Sequence, residues 1–178
     1  MGAAWRDHSA TIIATLLLLP LAGVVAYRWR RRSRSRRDAL AEVGLLCWTL
    51  PFIGMLFTPQ ATPRSIDLVP LHDLPSWFSG DPGTAVAQFA GNLAVLAGVG
   101  FFLPIRFGWA TSLLRVLAIA AVSAVVIEAL QWVLAIGRVS SVDDVIVNTA
   151  GAVLAAACSG RWWVTEKADT EGQIVPVP

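Results

Sequence analysis

Glu128, Gln131 and Asn148 stand in stretches otherwise apolar enough to span a bilayer, and their spacing lets them share chemistry with their neighbours. Gln88 and Asn92 are i, i+4, Glu128 and Gln131 are i, i+3, and Asp144 and Asn148 are i, i+4, so each pair lies on one helix face. An ionisable side chain at membrane depth costs about 3 kcal/mol on insertion scales and faces a protein interior or a water-filled cavity. Either these groups bond helices together or they converge on a site. A site of this composition could meet a phosphate or carboxylate through Arg138 and read sugar or amide groups through Glu128 and the amides. Glu128 is also the catalytic candidate, as a general base.

Next to these residues, Ser140 with Asp143 and Ser141 with Asp144 each fit the S-x-x-D capping pattern, and an acid in the first turn complements the helix dipole. Structural readings stand beside the functional ones. Asp143 or Asp144 can be a cap, Asn92 and Asn148 can be interhelical glue, and Glu128 with Arg138 can be a packing ion pair. His72-Asp73 could form one corner of a metal site, but a lone His beside an Asp is usually only solvated, and no nucleophile motif, Gly-rich phosphate loop or zinc spacing occurs. No metal or cofactor is expected. Cys47 and Cys158 have no metal-ligand spacing and read as buried small apolar residues.

Long apolar elements must position these groups. Of 178 residues, 56% are hydrophobic and 15% charged, with a mean hydropathy of +0.63. Residues 9–27, 43–63, 82–105 and 145–160 carry no formal charge, and 116–137 carry only Glu128. About 20 apolar residues cross a hydrocarbon core as a helix. The expectation is an all-α, polytopic membrane helix bundle of about five transmembrane helices, near 11–27, 41–57, 85–103, 113–136 and 142–163. Residues 1–38 supply the first helix and an Arg-rich loop, 39–164 the rest of the bundle, and 165–178 a disordered tail. The first helix is expected to be retained, because arginines directly after it oppose translocation. They read as a topology anchor touching anionic headgroups, not as a nucleic-acid patch.

Charge sets the orientation. The cluster from Arg28 to Arg37, with Arg106, Arg115, Arg161 and Lys167, would lie on one side, and Arg6, Arg64 and Arg138 on the other. Positive-inside bias then puts the N-terminus outside and the C-terminus in the cytoplasm. Trp162 and Trp163 suit the inner headgroup belt and Trp77 the outer. Basic residues that are nearly all arginine hint at a GC-rich bacterial genome, and hence at a multi-pass protein of the bacterial cell membrane.

At 1.5 Å per residue, Asn92, Glu128 and Asn148 lie roughly 10, 12–15 and 7–9 Å below the outer ends of their helices. Scattered packing residues have no reason to share a leaflet, so the pattern favours a cavity open to the outside. Ala94 with Gly98, and Gly151 with Ala155, are small-xxx-small pairs that permit close helix approach. Gly151 is on the Asn148 face, which therefore looks inward. The expected ligand-binding set is Gln88, Asn92, Glu128, Gln131, Arg138, Asp143, Asp144 and Asn148.

Over roughly residues 65–160 the chain resembles the VanZ-like family of small bacterial membrane proteins. The resemblance rests on Asp67-Leu68-Val69-Pro70-Leu71, Gly91-Asn92 and Phe101-Phe102-Leu103-Pro104. It continues through Ile127-Glu128-x-x-Gln131, Gly137-Arg138, Asp143-Asp144 and Asn148-x-x-Gly151. Here Asp67 replaces the pattern's asparagine, Leu71 its phenylalanine and Ser141 an aspartate, which weakens any mechanism needing an acidic pair at 141. The resemblance implies a link to low-level resistance to the glycopeptide teicoplanin, as in the family's namesake. Three functions remain: binding of a lipid-linked cell-wall precursor, lipid headgroup or amphiphile; an intramembrane enzyme acting on a lipid-linked substrate; and polar residues that only specify packing. The first is favoured, with membrane lipids or a lipid-linked precursor as partner and no nucleic acid.

Overall fold

The computed structural model describes residues 2–60, 65–72, 82–164, 166–168 and 174–176. Arg64, Asp73 and Trp77 lie outside the described residues, as do the side chains of Arg6 and of the tail beyond Val164. The helices are α1 (Gly2–Arg30), α2 (Arg36–Leu56), α3 (Pro82–Val95), α4 (Ala97–Arg106), α5 (Leu113–Val133) and α6 (Val142–Ser159). Helices α3 and α4 are halves of one apolar stretch, broken at Leu96. Among the described residues, Arg36–Leu56, Val86–Arg106, Leu113–Val133 and Val142–Trp162 are long and apolar enough to cross a membrane.

These helices are apolar on their outer faces too. Leu114, Val122 and Val133 of α5, Leu154 of α6 and Leu50 of α2 are all exposed. A helix hydrophobic all round must be buried in protein or in lipid, and a monomer in water does not expose apolar surface on this scale. The sequence places polar residues on the inner stripes and leucine and valine outside, and only a bilayer solvates that arrangement.

Helix α6 is the centre. It packs against α3, α4 and α5, while α2 packs on α4 and α1 on α2. The core is built from small and β-branched residues: Val116, Ala120 and Ala124 of α5 meet Ala152 and Ala156 of α6, with Leu56, Val95 and Leu96 closing the cluster. Two glycines let backbones touch. A Cβ on Gly100 would stand 1.9 Å from the Ala152 carbonyl oxygen, and one on Gly151 would stand 1.9 Å from that of Leu93. The Gly151 face does look inward, onto α3. Gly98 accommodates Trp48, whose indole N–H donates to the Ala94 carbonyl at 2.7 Å.

Several boundaries differ from the sequence reading. Helix α2 begins at Arg36, where the Ser35 hydroxyl accepts from the Asp38 N–H at 3.1 Å, so its first turn consists of charged residues that hydropathy cannot see. Helix α4 continues through Pro104 to Arg106. Cys158 is exposed, not buried. In the tail, Glu166–Ala168 and Ile174–Pro176 pair as an antiparallel ribbon where no structure was expected. At the Arg-rich end Glu42 accepts from Arg30 Nε and from Arg106 Nε, each at 2.6 Å, tying α1, α2 and α4 together.

Candidate functional site

At the opposite end, the chain leaves α5 through a tight turn. Ala135 has φ 51° and Gly137 φ 70°. Glycine adopts this region at no steric cost, whereas Ala135 bears about 1–2 kcal/mol of strain. The turn delivers strand β2 (Val139–Ser141), which pairs in parallel with β1 (Ser65–Asp67) in the register Ser65 to Val139, Ile66 to Ser140 and Asp67 to Ser141. The Gln60 N–H adds a bond to the Ile136 carbonyl at 2.8 Å. A two-stranded ribbon thus fastens the α2–α3 connector over the mouth of α5 and α6.

Glu128 lies under this ribbon, 8% exposed. Its Oε2 accepts from the Ser141 N–H at 3.2 Å, and the Ser140 hydroxyl donates to its backbone carbonyl at 3.1 Å. Asp144 and Arg138 are both close enough to act electrostatically on its carboxyl group, but no ion pair joins Glu128 to Arg138. The packing ion pair considered from sequence is not formed. Ser141 is the N-cap of α6: its hydroxyl accepts from the Asp143 N–H at 3.1 Å.

The other polar residues divide into two groups. Asn92 Nδ2 donates to Asp144 Oδ1 at 2.5 Å, joining α3 to the first turn of α6. Asn148, one turn further along α6, is 1% exposed, and its Oδ1 has no partner among the described residues. With Glu128, these residues gather where α3, α5 and α6 meet. Gln131 turns instead to α2, its Nε2 donating to the Leu56 carbonyl at 3.0 Å. Arg138 also reaches α2, donating through Nη2 to the Met55 carbonyl at 3.2 Å while its buried Nε has no partner among the described residues. Gln88 is exposed.

Glu128 also forms part of a groove wall. About 340 Å³ lies between α5, α6 and the connector, lined by the apolar parts of Glu128, Ser140 and Ser141 with Ile66, Leu68, Val125, Trp132 and Val145. Ile66, Leu68 and Val125 are exposed, so the groove opens sideways along the apolar exterior of the bundle.

The connector contributes residues that the sequence reading left unassigned. Asp67 accepts a bond from the His72 ring and one from the Val69 N–H at 2.9 Å, and these hold its carboxyl below the usual aspartate range. Leu71, at φ 63°, donates its N–H to Asp143 Oδ1 at 2.5 Å. Asp143 is fully buried. The acid two residues into α6 therefore anchors a strained loop residue from far away in sequence. The matching aspartates at 67 and 143 were the visible signal; their partners were not.

The helices define an all-α polytopic membrane protein with buried acids gathered at one end of its bundle. The chain belongs to the VanZ/LLP1 family, whose family model matches residues 40–162, from α2 to the end of the bundle. No curated protein and no solved structure matches it.

Proposed function

We propose that the protein binds an amphiphile, a lipid-linked envelope component, at the mouth formed by Glu128, Asn92, Asp143, Asp144 and Asn148. The observation that carries this reading is the position of Glu128: a nearly buried acid whose side chain lies behind the wall of an apolar groove on the bundle's lipid-facing surface. An acyl or prenyl chain fits the groove, and a hydroxyl, amide or ammonium group on the head is the complement of the carboxylate. The unpartnered Asn148 acceptor supports a polar ligand, since leaving a buried acceptor unmade costs about 1–3 kcal/mol. Gln131 and Arg138, bonded to α2 carbonyls, favour a packing role within the same mouth.

The positive-inside bias of the Arg28–Arg37 cluster supports a cytoplasmic C-terminus and an exterior mouth in a bacterial cell membrane. In that orientation the ligand is drawn from the outer leaflet, where lipid-linked cell-wall precursors are exposed to glycopeptides. Protection against teicoplanin-type drugs is the physiological consequence of this reading.

Glu128→Gln separates binding from packing, because the amide oxygen can still accept from Ser141. Protein extracted from native membranes should carry a lipid-linked species by mass spectrometry, and the variant should lose it by about tenfold or more at unchanged unfolding temperature. A deletion strain should be sensitised to teicoplanin and rescued by wild type alone. Equal lipid retention by both proteins overturns the reading. Turnover of a polyprenyl-phosphate substrate by wild type, lost in Glu128→Gln, replaces it with catalysis.

A further inference from the structure

At the Arg-rich end, far from the mouth, a second groove of about 830 Å³ runs between α1, α2 and α4, with Trp162 in its wall. Its volume is in the ordinary range for a bound small molecule. Pro20, Gly23, Val24 and Tyr27 line it from α1 at i, i+3, i+4 and i+7, a single helix face. Leu40, Phe101 and Phe102 supply further apolar wall, and the Phe102 ring takes the space that a side chain at Gly44 would fill. Arg36 and Arg37 line the same groove and are its only charged wall residues among the described residues.

The charge there is unbalanced. Glu42 is already engaged by Arg30 and Arg106, and Asp38 forms no ion pair with Arg36 or Arg37 among the described residues. Arg37 donates through Nη2 to the Trp162 carbonyl, which fixes its guanidinium at the groove, and its buried Nε has no partner among the described residues. A ligand that satisfies all of this has an apolar chain to lie along the Pro20–Tyr27 face and an anionic head at the level of the arginines. Tyr27 and Trp162 are the amphipathic rings found at headgroup depth.

We propose that this groove is a specific site for an anionic phospholipid. Its acyl chain lies between α1 and α2, and its phosphate is held by Arg36 and Arg37. The site is independent of the mouth at Glu128. It gives α1, which packs on the bundle through α2, a lipid as additional packing material.

The test is native mass spectrometry of the full chain in detergent, with phosphatidylglycerol and phosphatidylcholine of identical chains supplied together. Wild type should retain one phosphatidylglycerol with a preference of about tenfold or more. Arg36→Gln with Arg37→Gln should abolish the preference. Val24→Trp, at an exposed position that fills the groove without disturbing the core, should lower retention of both lipids. Arg31→Gln with Arg32→Gln removes the same charge outside the groove and should keep most of the preference. The proposal fails if wild type holds both lipids equally, if the two arginine pairs act alike, or if inorganic phosphate displaces the lipid.

Discussion

The Asn92 amide donates to the Asp144 carboxylate at 2.5 Å, across 52 residues of sequence, and this bond joins the polar stripe of α3 to that of α6. It lies beside Glu128, on which the Asp144 charge acts. Removing the donor therefore leaves two carboxyl groups facing one another with less to hold either in place. Asn92→Ala should lower stability in detergent by about 1 kcal/mol, measured by denaturant unfolding. Asn92→Asp, which sets a third acid there, should cost more than Asn92→Ala. Equal stability of both variants and wild type would show that the bond contributes nothing.

Gly151 and Gly91 make a controlled pair. A methyl group at Gly151 meets the Leu93 carbonyl, whereas one at Gly91 meets nothing within 4 Å. Gly151→Ala should destabilise by about 1–3 kcal/mol through overpacking. Gly91→Ala should be neutral or stabilise by up to about 1 kcal/mol, as alanine is the better helix former. Thermal unfolding of the two variants side by side reads the difference.

Glu42 ties α1 and α4 to α2 through two arginines. Glu42→Gln should cost about 2 kcal/mol, the range of hydrogen bonds to charged groups. The loss should appear first in α1, which packs on the bundle through α2. Proteolysis within residues 31–35 should become faster in the variant while the α5–α6 core stays resistant.

Asp67 supplies a pH dependence. The His72 bond first, then the Val69 N–H, holds its carboxyl below the usual aspartate range. A lowered folded value means the stabilisation is complete above the ordinary aspartate value, about 3.9, and is lost as pH falls through the lowered one. Protection of the Val69 amide from hydrogen exchange, corrected for intrinsic rate, should therefore fall with acid in wild type. In Asp67→Asn the same protection should be flat across that range.

Much of the bundle was legible because one physical signal governs it. Apolar runs long enough to cross a bilayer located α2, α5 and α6 to within a few residues, apart from the charged first turn of α2. The i, i+4 spacing correctly put Asp144 and Asn148 on the inward face, and Gly151 sat where close approach was expected. Spacing along one helix does not reveal which neighbour that face meets. Gln131 shares a face with Glu128 yet bonds to α2, because a helix face wide enough for both residues touches two neighbours. The Asp143–Leu71 bond and the β1–β2 ribbon were invisible for another reason. Both involve three-residue strands or single backbone groups brought together from distant segments, with no periodicity to betray them.

Ser140 and Ser141 each bond to Glu128 while their strand is laced to Ile66 and Asp67 of the connector. The connector is thus linked to the carboxylate through one strand. Peeling Ser65–Asp67 away would unpair the strand whose Ser141 N–H is the acid's backbone donor. Whatever grips the connector from outside therefore pulls on the strand that lies over the acid.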